Sequence, residues 1–286
     1  MRLVFSITLF LCACEFVTCA NIFAVIPSPF YSHQATFRPL WRELAKKGHK
    51  ITLITTDLME ANENITQIDY HGCYEVFEKN SFGNLLKKGL KVLDALLMFK
   101  DLMRATLDYQ FSQPQLVEML KNNRTFDLMM VELAQPGWPL LSYKFKCPYI
   151  GLTSMDTYST LHAAVGNAVH PAIYPSADFG FQEELSFKDR LLSTFLTVLG
   201  EMVFRFFFTP FTDNYLKTVI GDDLPTSEET FKNMSMLFVN ANPIFFPIRP
   251  VTPVTVNLGG GLHLTHQKKL PEVRFLKNKI LCYFMP

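Results

Sequence analysis

The first part of the chain alternates apolar runs with polar turns in a pattern typical of a βαβ unit. The run "IFAVI" (22–26) is short, apolar and rich in β-branched residues, and a Pro/Ser turn follows it. Apolar residues from Phe37 to Leu44 then recur at helical spacing until Gly48, after which "HKITLITTD" is a second β-rich run. The sequence therefore predicts a strand, a helix that starts after the turn, and a parallel strand over residues 22–56.

The same pattern recurs in the middle of the chain. Two apolar runs bounded by turn signals, "FDLMMVEL" (126–133) and "CPYIGLT" (147–153), flank the stretch "GWPLLSYKF", which has helical periodicity. Residues 82–121 carry a Leu, Met and Lys pattern that predicts one or two helices, and "MLFVNANP" (236–243) predicts another buried strand. Strands that alternate with helices indicate an α/β fold with a doubly wound parallel sheet.

One segment departs from this alternation. Residues 191–208, "LLSTFLTVLGEMVFRFFF", are almost entirely apolar except for Glu201 and Arg205. A membrane-spanning helix rarely carries two central charges, and the i, i+4 spacing of these two lets them pair on one helix face. Two interpretations remain open: a buried or half-buried amphipathic helix of the folded domain, or a helix that lies on a membrane surface.

The amino terminus indicates the secretory route. Residues 1–20 place a basic residue before a short apolar run and end in a small-residue pattern, so we predict a signal peptide cleaved near Ala20; the alternative is a retained signal anchor. Three Asn-x-Ser/Thr sequons are compatible with that route, at Asn64, Asn123 and Asn233. The predicted compartment is therefore lumenal or secreted.

Composition narrows the classes of function. The chain has 286 residues, 49% of them hydrophobic, which is typical of a globular protein, and its formal net charge is +1, so nothing indicates nucleic-acid binding. Outside the predicted signal peptide the cysteines are Cys73, Cys147 and Cys282. An odd number of cysteines without Cys-x-x-Cys spacing argues against a disulfide scaffold.

Two ionisable residues that follow predicted strands are candidates for catalysis. His33 lies between the first strand and the first helix, and Glu132 ends the strand "FDLMMVE". Because ligands of parallel α/β sheets bind beyond the carboxyl ends of the strands, both side chains should reach the same crevice. There His33 would take a proton from a bound hydroxyl, while Glu132 orients the ring and stabilises the imidazolium. The structural alternatives are a histidine that packs at a helix start and a solvated glutamate at a strand end.

Other polar residues are weaker candidates. Asp127 lies near the start of its strand, so we expect it at the opposite rim in a structural role, and His49 also reads as structural. His71 and Cys73 lack the second pair of ligands that a zinc site needs, and the remaining histidines are assigned no chemistry. The sequence has no G-x-S-x-G, G-x-G-x-x-G, Walker A or Asp-x-Asp motif, which argues against an esterase, a dehydrogenase, a P-loop enzyme and a metal-bridged nucleotide-sugar site.

Three blocks of the sequence resemble the animal UDP-glycosyltransferases, a family that includes the UDP-glucuronosyltransferases. The blocks are "IPSPFYSHQATFRPLWRELAKKGHKITLITTD", "FDLMMVE" and "LFVNANPIFFPIRPVTPVTVNLGGGLHL", and they cover about residues 22–266. The resemblance implies a GT-B type fold, in which a Rossmann-like amino-terminal half binds a small lipophilic acceptor and a carboxyl-terminal half binds the UDP-sugar. It also implies an endoplasmic reticulum location.

The resemblance further implies a mechanism. His33 falls on the family's catalytic base, and a sugar, glucuronic acid or another hexose, passes from UDP to the acceptor hydroxyl with inversion and without a metal or other cofactor. The family's partner acid, usually aspartate, falls on Glu132. Since glutamate is one methylene longer, the side chain must retract or the helix that bears His33 must lie farther away.

The carboxyl terminus departs from the family pattern. After "GGGLHLTHQKKLPE" the resemblance predicts a nucleotide-sugar domain, whereas this chain continues as "VRFLKNKILCYFMP". The expected organisation is a signal peptide (1–20), an acceptor-binding domain (21–272) and a divergent tail (273–286), with the donor domain missing. Two functions remain open: the acceptor half of a transferase, or a non-catalytic form that binds acceptors or pairs with full-length relatives as a homo- or hetero-oligomer.

Overall fold

The protein is described by a computed structural model, which covers residues 19–80, 92–122, 124–176, 185–242, 244, 246 and 248–262. Several predicted features lie outside the described residues: almost all of the signal peptide, the sequon at Asn123, the thiol of Cys282, and the tail at 273–286. The first ten residues of the helical region predicted at 82–121 also lie outside them.

The centre of the described chain is a parallel sheet of seven strands. The strands are β1 (Asn21–Ile26), β2 (Lys50–Thr55), β3 (Ile65–Asp69), β4 (Leu128–Glu132), β5 (Tyr149–Thr153), β6 (Met236–Val239) and β7 (Thr255–Asn257). Their order is β3-β2-β1-β4-β5-β6-β7, and every neighbouring pair is parallel. The predicted doubly wound, Rossmann-like sheet is therefore confirmed, and its direction of winding reverses between β1 and β4.

Helices connect these strands. They are α1 (Tyr31–Lys46), α2 (Cys73–Lys79), α3 (Val92–Phe111), α4 (Pro114–Lys121), α5 (Leu141–Phe145), α6 (Ser159–Ala164), α7 (Phe187–Val203), α8 (Thr209–Ile220) and α9 (Ser227–Lys232). A 3₁₀ turn at Trp138–Leu140 leads into α5, and a π-helical turn at Phe204–Phe208 joins α7 to α8. The helices predicted within 82–121 and 138–145 are confirmed where the chain is described.

Both faces of the sheet are buried. In β1, Ile22 and Ile26 pack with Trp41 of α1 on one face, whereas Phe23 and Val25 belong to the larger cluster on the other face. A strand covered on both sides needs apolar residues at every position, which explains why the strands read as continuous hydrophobic runs. The buried β1 is therefore a rigid base for the loop that follows it.

The start of α1 differs from the prediction. We expected His33 in the turn before the helix, but α1 begins at Tyr31, so His33 lies in its first turn. The reason is local: the carbonyl of Phe30 accepts hydrogen bonds from the backbone N–H groups of His33 (3.0 Å) and Gln34 (3.4 Å), which close the turn. Pro39 consequently lies in the helix interior.

The predicted ion pair of Glu201 with Arg205 is wrong. Arg205 instead pairs with Glu228 of α9, at 3.3 Å between the guanidinium nitrogen and the carboxylate oxygen. The physical reason is that α-helical spacing ends at Val203; in the π-helical turn that follows, residues four apart no longer lie above one another. Strands β3 and β7 were also not predicted, because β3 is half polar and β7 has three residues.

Candidate functional site

The structure brings His33 and Glu132 into direct contact. His33 Nδ1 is hydrogen-bonded to Glu132 Oε1, across the boundary between β1 and β4 where the winding of the sheet reverses. Glu132 is the last residue of β4, and its side chain is 1% exposed against 16% for that of His33. The two residues that the sequence singled out thus form a pair at the carboxyl-terminal edge of the sheet, the edge at which ligands of parallel α/β sheets generally bind.

The glutamate reaches the ring despite its extra methylene. Its Oε1 contacts His33, while its Oε2 is buried and has no hydrogen-bond partner among the described residues. A buried carboxylate oxygen without a partner is uncommon in folded proteins and is often found at functional sites. Among the described residues, His33 is therefore the only side chain to which the Glu132 carboxylate is hydrogen-bonded.

The contact determines which ring nitrogen of His33 is free. A carboxylate accepts hydrogen bonds, so the proton of the neutral ring is on Nδ1, and this N–H donates the hydrogen bond to Glu132. In neutral imidazole the other nitrogen, Nε2, is then an acceptor, and no described residue forms a hydrogen bond with it. The ring of Phe30 lies 5.3 Å from the His33 ring and packs edge-on against Phe77. Nε2 thus lies on the side of the ring away from Glu132, and the ring of Phe30 is close to that of His33.

A buried glutamine fixes the loop that carries His33. Gln34 Nε2 donates to the carbonyls of Ile26 and Ser28, both at 3.0 Å, and Gln34 Oε1 accepts from Thr55 Oγ1 at 2.7 Å. These bonds join the end of β1, the following loop and the end of β2. Because Gln34 is next to His33 in the chain, the bonds also fix the position of the first turn of α1.

A second glutamine holds the same loop from the opposite side of the sheet. Gln110 of α3 is fully buried, and its Nε2 donates to the carbonyl of Pro27 at 3.1 Å. Its Oε1 accepts from Trp138 Nε1 at 3.1 Å, and its own carbonyl accepts from Tyr70. Reasoning from the sequence did not identify either glutamine. The signals available were that Gln34 is next to the candidate base His33, and that Gln110 is a long polar residue within an apolar helix face.

A second buried cluster lies beyond the end of β5. Asp156 accepts a hydrogen bond from His162 Nε2 at 3.0 Å through Oδ1, and from Arg249 at 3.0 Å through Oδ2. Burial opposes ionisation of Asp156, but the hydrogen bond from His162 and the charge of Arg249 outweigh it and lower the pKa of the carboxyl group. We had assigned His162 no chemistry; its role here is to join α6 to the segment between β6 and β7.

The remaining polar candidates have structural contacts. Asp127, just before β4, accepts from the backbone N–H of Asn21 at 2.7 Å, which confirms that it lies at the opposite rim from Glu132. His49 Nδ1 accepts from the backbone N–H of Ala20 at 3.1 Å. His71 Nδ1 is hydrogen-bonded to the carbonyl of Thr56 at 2.9 Å. In the described ranges no group of three or more His, Cys, Asp or Glu side chains is arranged to hold a metal ion.

Curated proteins of known sequence are similar to most of this chain. The ecdysteroid UDP-glucosyltransferase of Choristoneura fumiferana defective polyhedrosis virus is 29% identical over 86% of this chain and 51% of its own length. The enzyme of the same name from Autographa californica nuclear polyhedrosis virus is 28% identical over 90% of this chain and 52% of its own. UDP-glycosyltransferase UGT4 of Dactylopius coccus is 25% identical, over 88% and 50%. The chain therefore spans about half the length of these curated relatives.

Solved structures show weaker likeness. The glycotransferase of kitacinnamycin superposes with a TM-score of 0.39 at 14% identity, over 80% of this chain and 48% of that chain. Phytolacca americana UGT2, solved with UDP-2fluoro-glucose and pterostilbene, gives a TM-score of 0.36 at 11% identity, over 82% of this chain and 53% of that chain.

The family comparison covers most of the chain. The family described as "UDP-glucoronosyl and UDP-glucosyl transferase" matches residues 23–277. This range contains all of the sheet except the first two residues of β1, and both members of the His33–Glu132 pair. With this match over far more than half of the sequence, the chain belongs to the UDP-glucuronosyl and UDP-glucosyl transferase family.

Proposed function

We propose that this chain is the acceptor-binding half of a UDP-glycosyltransferase and that His33 is its catalytic base. The observation that supports the proposal is the His33–Glu132 contact at the reversal point of the sheet, which leaves Nε2 of His33 directed away from its protein partner. A neutral imidazole is the side chain best suited to accept a proton near neutral pH. The UDP-sugar is held by another part of the complete enzyme.

The proposed reaction is a single displacement at the anomeric carbon of the sugar. His33 Nε2 takes the proton of the acceptor hydroxyl as the oxygen forms a bond to that carbon, and the bond from the carbon to the UDP oxygen breaks with its electrons remaining on UDP. Because the acceptor attacks from the face opposite UDP, the configuration inverts. The sugar is glucuronic acid or another hexose.

Glu132 acts through His33 in this proposal. Its carboxylate accepts the hydrogen bond from Nδ1, so the ring stays in the tautomer whose Nε2 is basic. When Nε2 gains its proton, the negative charge beside Nδ1 stabilises the imidazolium. Because the Glu132 side chain is 1% exposed, little water weakens this interaction.

The surroundings of His33 favour a small lipophilic acceptor. Phe30 is 43% exposed and lies between His33 and the ring of Phe77, so an apolar surface adjoins the basic nitrogen. Acceptor pockets need such apolar walls beside a few polar groups that orient the ligand. We further propose a lumenal location in the endoplasmic reticulum, which the small-residue pattern that ends at Ala20 supports.

The first prediction concerns His33 itself. In a complete transferase made by joining residues 21–262 to the carboxyl-terminal half of the Choristoneura virus relative, His33→Gln should lower kcat by about a thousandfold, because the amide cannot take the proton. The readout is transfer of glucose and of glucuronic acid from their UDP donors to a lipophilic phenol and to an ecdysteroid, followed by mass spectrometry.

The control is the same substitution at a histidine of the opposite rim. His49→Gln should leave kcat within about twofold of the parent, since His49 precedes β2 and therefore lies at the opposite end of the sheet from His33. If His33→Gln retained the parent rate, the assignment of the base would be wrong. Circular dichroism of each variant separates loss of chemistry from loss of folding.

A further inference from the structure

A pocket of about 410 Å³ lies at the carboxyl-terminal edge of the sheet, the edge that also carries His33. On one side it is lined by Tyr31 and Arg38 of α1, and on the other by residues that follow β2 and β3, among them Thr56 and His71. The proposed catalytic pair uses none of these residues, so the pocket needs an explanation of its own.

The first turn of α1 joins this pocket to His33. Tyr31 lines the pocket, and His33 is two residues later in the same turn, so the two side chains leave the helix on nearly opposite sides. Phe30 contacts the His33 ring at 5.3 Å between centroids, and Phe30 and Tyr31 are 43% and 56% exposed. Exposed aromatic rings therefore lie between His33 and the pocket. A helix with its side chains is about 10 Å across, a distance that one ligand of several fused rings can span.

The residues that line the pocket retain free hydrogen-bond acceptors. His71 Nδ1 lies 2.9 Å from the carbonyl oxygen of Thr56, which can only accept, so the proton of the neutral ring is on Nδ1 and Nε2 is an acceptor. Asp69 Oδ1 accepts from the backbone N–H of His71 at 2.8 Å, and no described residue donates to its Oδ2. Asp57 Oδ2 accepts from Thr56 Oγ1 at 2.9 Å and from Tyr74 at 2.8 Å, and no described residue donates to its Oδ1.

The cation of the pocket is engaged by the protein itself. Arg38 Nη2 donates to the carbonyls of Asp57 and Leu58, at 2.9 and 3.3 Å, and Nη1 donates to the Tyr31 hydroxyl at 3.4 Å. The guanidinium also lies over the Tyr31 ring, 5.0 Å from its centroid. The lining has two carboxylates against one guanidinium, which is a formal charge of −1 when His71 is neutral. This charge disfavours an anionic ligand.

We propose that this pocket binds a hydroxyl-bearing end of the acceptor, remote from the hydroxyl whose proton His33 takes. The inference rests on the proposed function of His33 and specifies the acceptor class: an apolar fused-ring phenol or alcohol with neighbouring hydroxyls at its far end. Those hydroxyls donate to Asp69 and to Nε2 of His71, and the rings lie over Phe30 and Tyr31. A hydroxyl suits the pocket because it also accepts, and the Tyr31 O–H is a donor.

The same groups select against other ligands. A ketone at the far end can only accept, so it would displace water from Asp69 and His71 without replacing the hydrogen bonds of that water. A carboxylate at the far end would also be repelled by the charge of Asp69. The pocket is thus a determinant of acceptor specificity, while the chemistry stays at His33.

The test is equilibrium dialysis of the purified chain with two tritiated phenolic steroids. Estriol and estrone share the phenol and the ring skeleton, but the far end carries two neighbouring hydroxyls in estriol and a ketone in estrone. The parent should bind estriol about tenfold more tightly than estrone. Asp69→Asn replaces a carboxylate oxygen with an amide that donates, so it should reduce this preference to about twofold or less. The ratio of the two dissociation constants cancels the apolar affinity that both steroids share.

The matched control is Asp222→Asn, at an exposed aspartate between α8 and α9, which should keep the parent's preference. Circular dichroism shows that each variant is folded. Equal affinity of the parent for the two steroids would overturn the proposal, and so would an Asp69→Asn variant that keeps the parent's preference. Because dialysis involves no sugar transfer, these outcomes are independent of the kinetics of His33→Gln, which test the proposed function alone.

Discussion

At the scale of single residues, the site depends on hydrogen bonds that hold His33 in one orientation. The sequence was sufficient to predict that His33 and Glu132 meet, because His33 follows β1, Glu132 ends β4, and parallel strands end at a common edge. It was not sufficient to predict Gln34 or Gln110, whose partners are backbone carbonyls of the loop after β1. Such contacts depend on three-dimensional proximity across up to 83 residues of sequence, which no local pattern encodes.

The thiols give a chemical prediction at this scale. Burial raises the pKa of Cys73 to about 12 and that of Cys147 to about 11. Because the thiolate is the reactive form, both residues should resist iodoacetamide at about pH 8 in the folded protein and react fully after unfolding in urea. Peptide mass spectrometry of the alkylated protein measures this, and rapid native alkylation of Cys73 would contradict the described burial.

At the scale of elements, the segment between β6 and β7 is held by the buried cluster at Asp156. Asp156 follows β5, His162 lies on α6, and Arg249 belongs to the β6–β7 connection, so one carboxylate joins three parts of the chain. Prediction from sequence failed here because each residue is isolated in turn-like sequence. It failed in a similar way for the first turn of α1, whose start depends on Phe30 as a backbone acceptor.

This cluster predicts a pH-dependent loss of stability. Asp156→Asn should lower the free energy of unfolding by about 3 kcal/mol at neutral pH, because it leaves the buried charge of Arg249 without its partner. The pKa of Asp156 is lower in the folded protein than its ordinary value of 3.8, so its stabilisation is complete above 3.8 and disappears as the pH falls through the lower folded value.

Urea unfolding at a series of pH values measures the effect of Asp156→Asn. The difference between parent and variant should be constant near neutral pH and shrink below about pH 4. The matched control is Asp101→Asn, at an exposed aspartate of α3, which should change the unfolding free energy by less than about 0.5 kcal/mol. If Asp156→Asn had the same free energy of unfolding as the parent, the ion pair of Asp156 with Arg249 would not stabilise the fold.

At the scale of the whole molecule, the order of strands explains where the site lies. The chain adds β2 and then β3 on one side of β1, and it returns to add β4 on the other side of β1. In sheets of this kind, ligands bind where the loops after two such strands diverge. The central strands were predictable from their apolar runs, since both of their faces are buried. The outer strands β3 and β7 were not, because strands near an edge bury fewer residues and so carry a weaker pattern.

The central claim is that Glu132 and His33 act together as the base of a sugar transfer. The most direct test is the acceptor kinetics of Glu132→Gln in the joined transferase. The account predicts that kcat falls by about a hundredfold or more while the KM for the acceptor changes little, because the buried Glu132 acts on the ring and not on the acceptor. A variant whose kcat stays within about twofold of the parent would contradict the account.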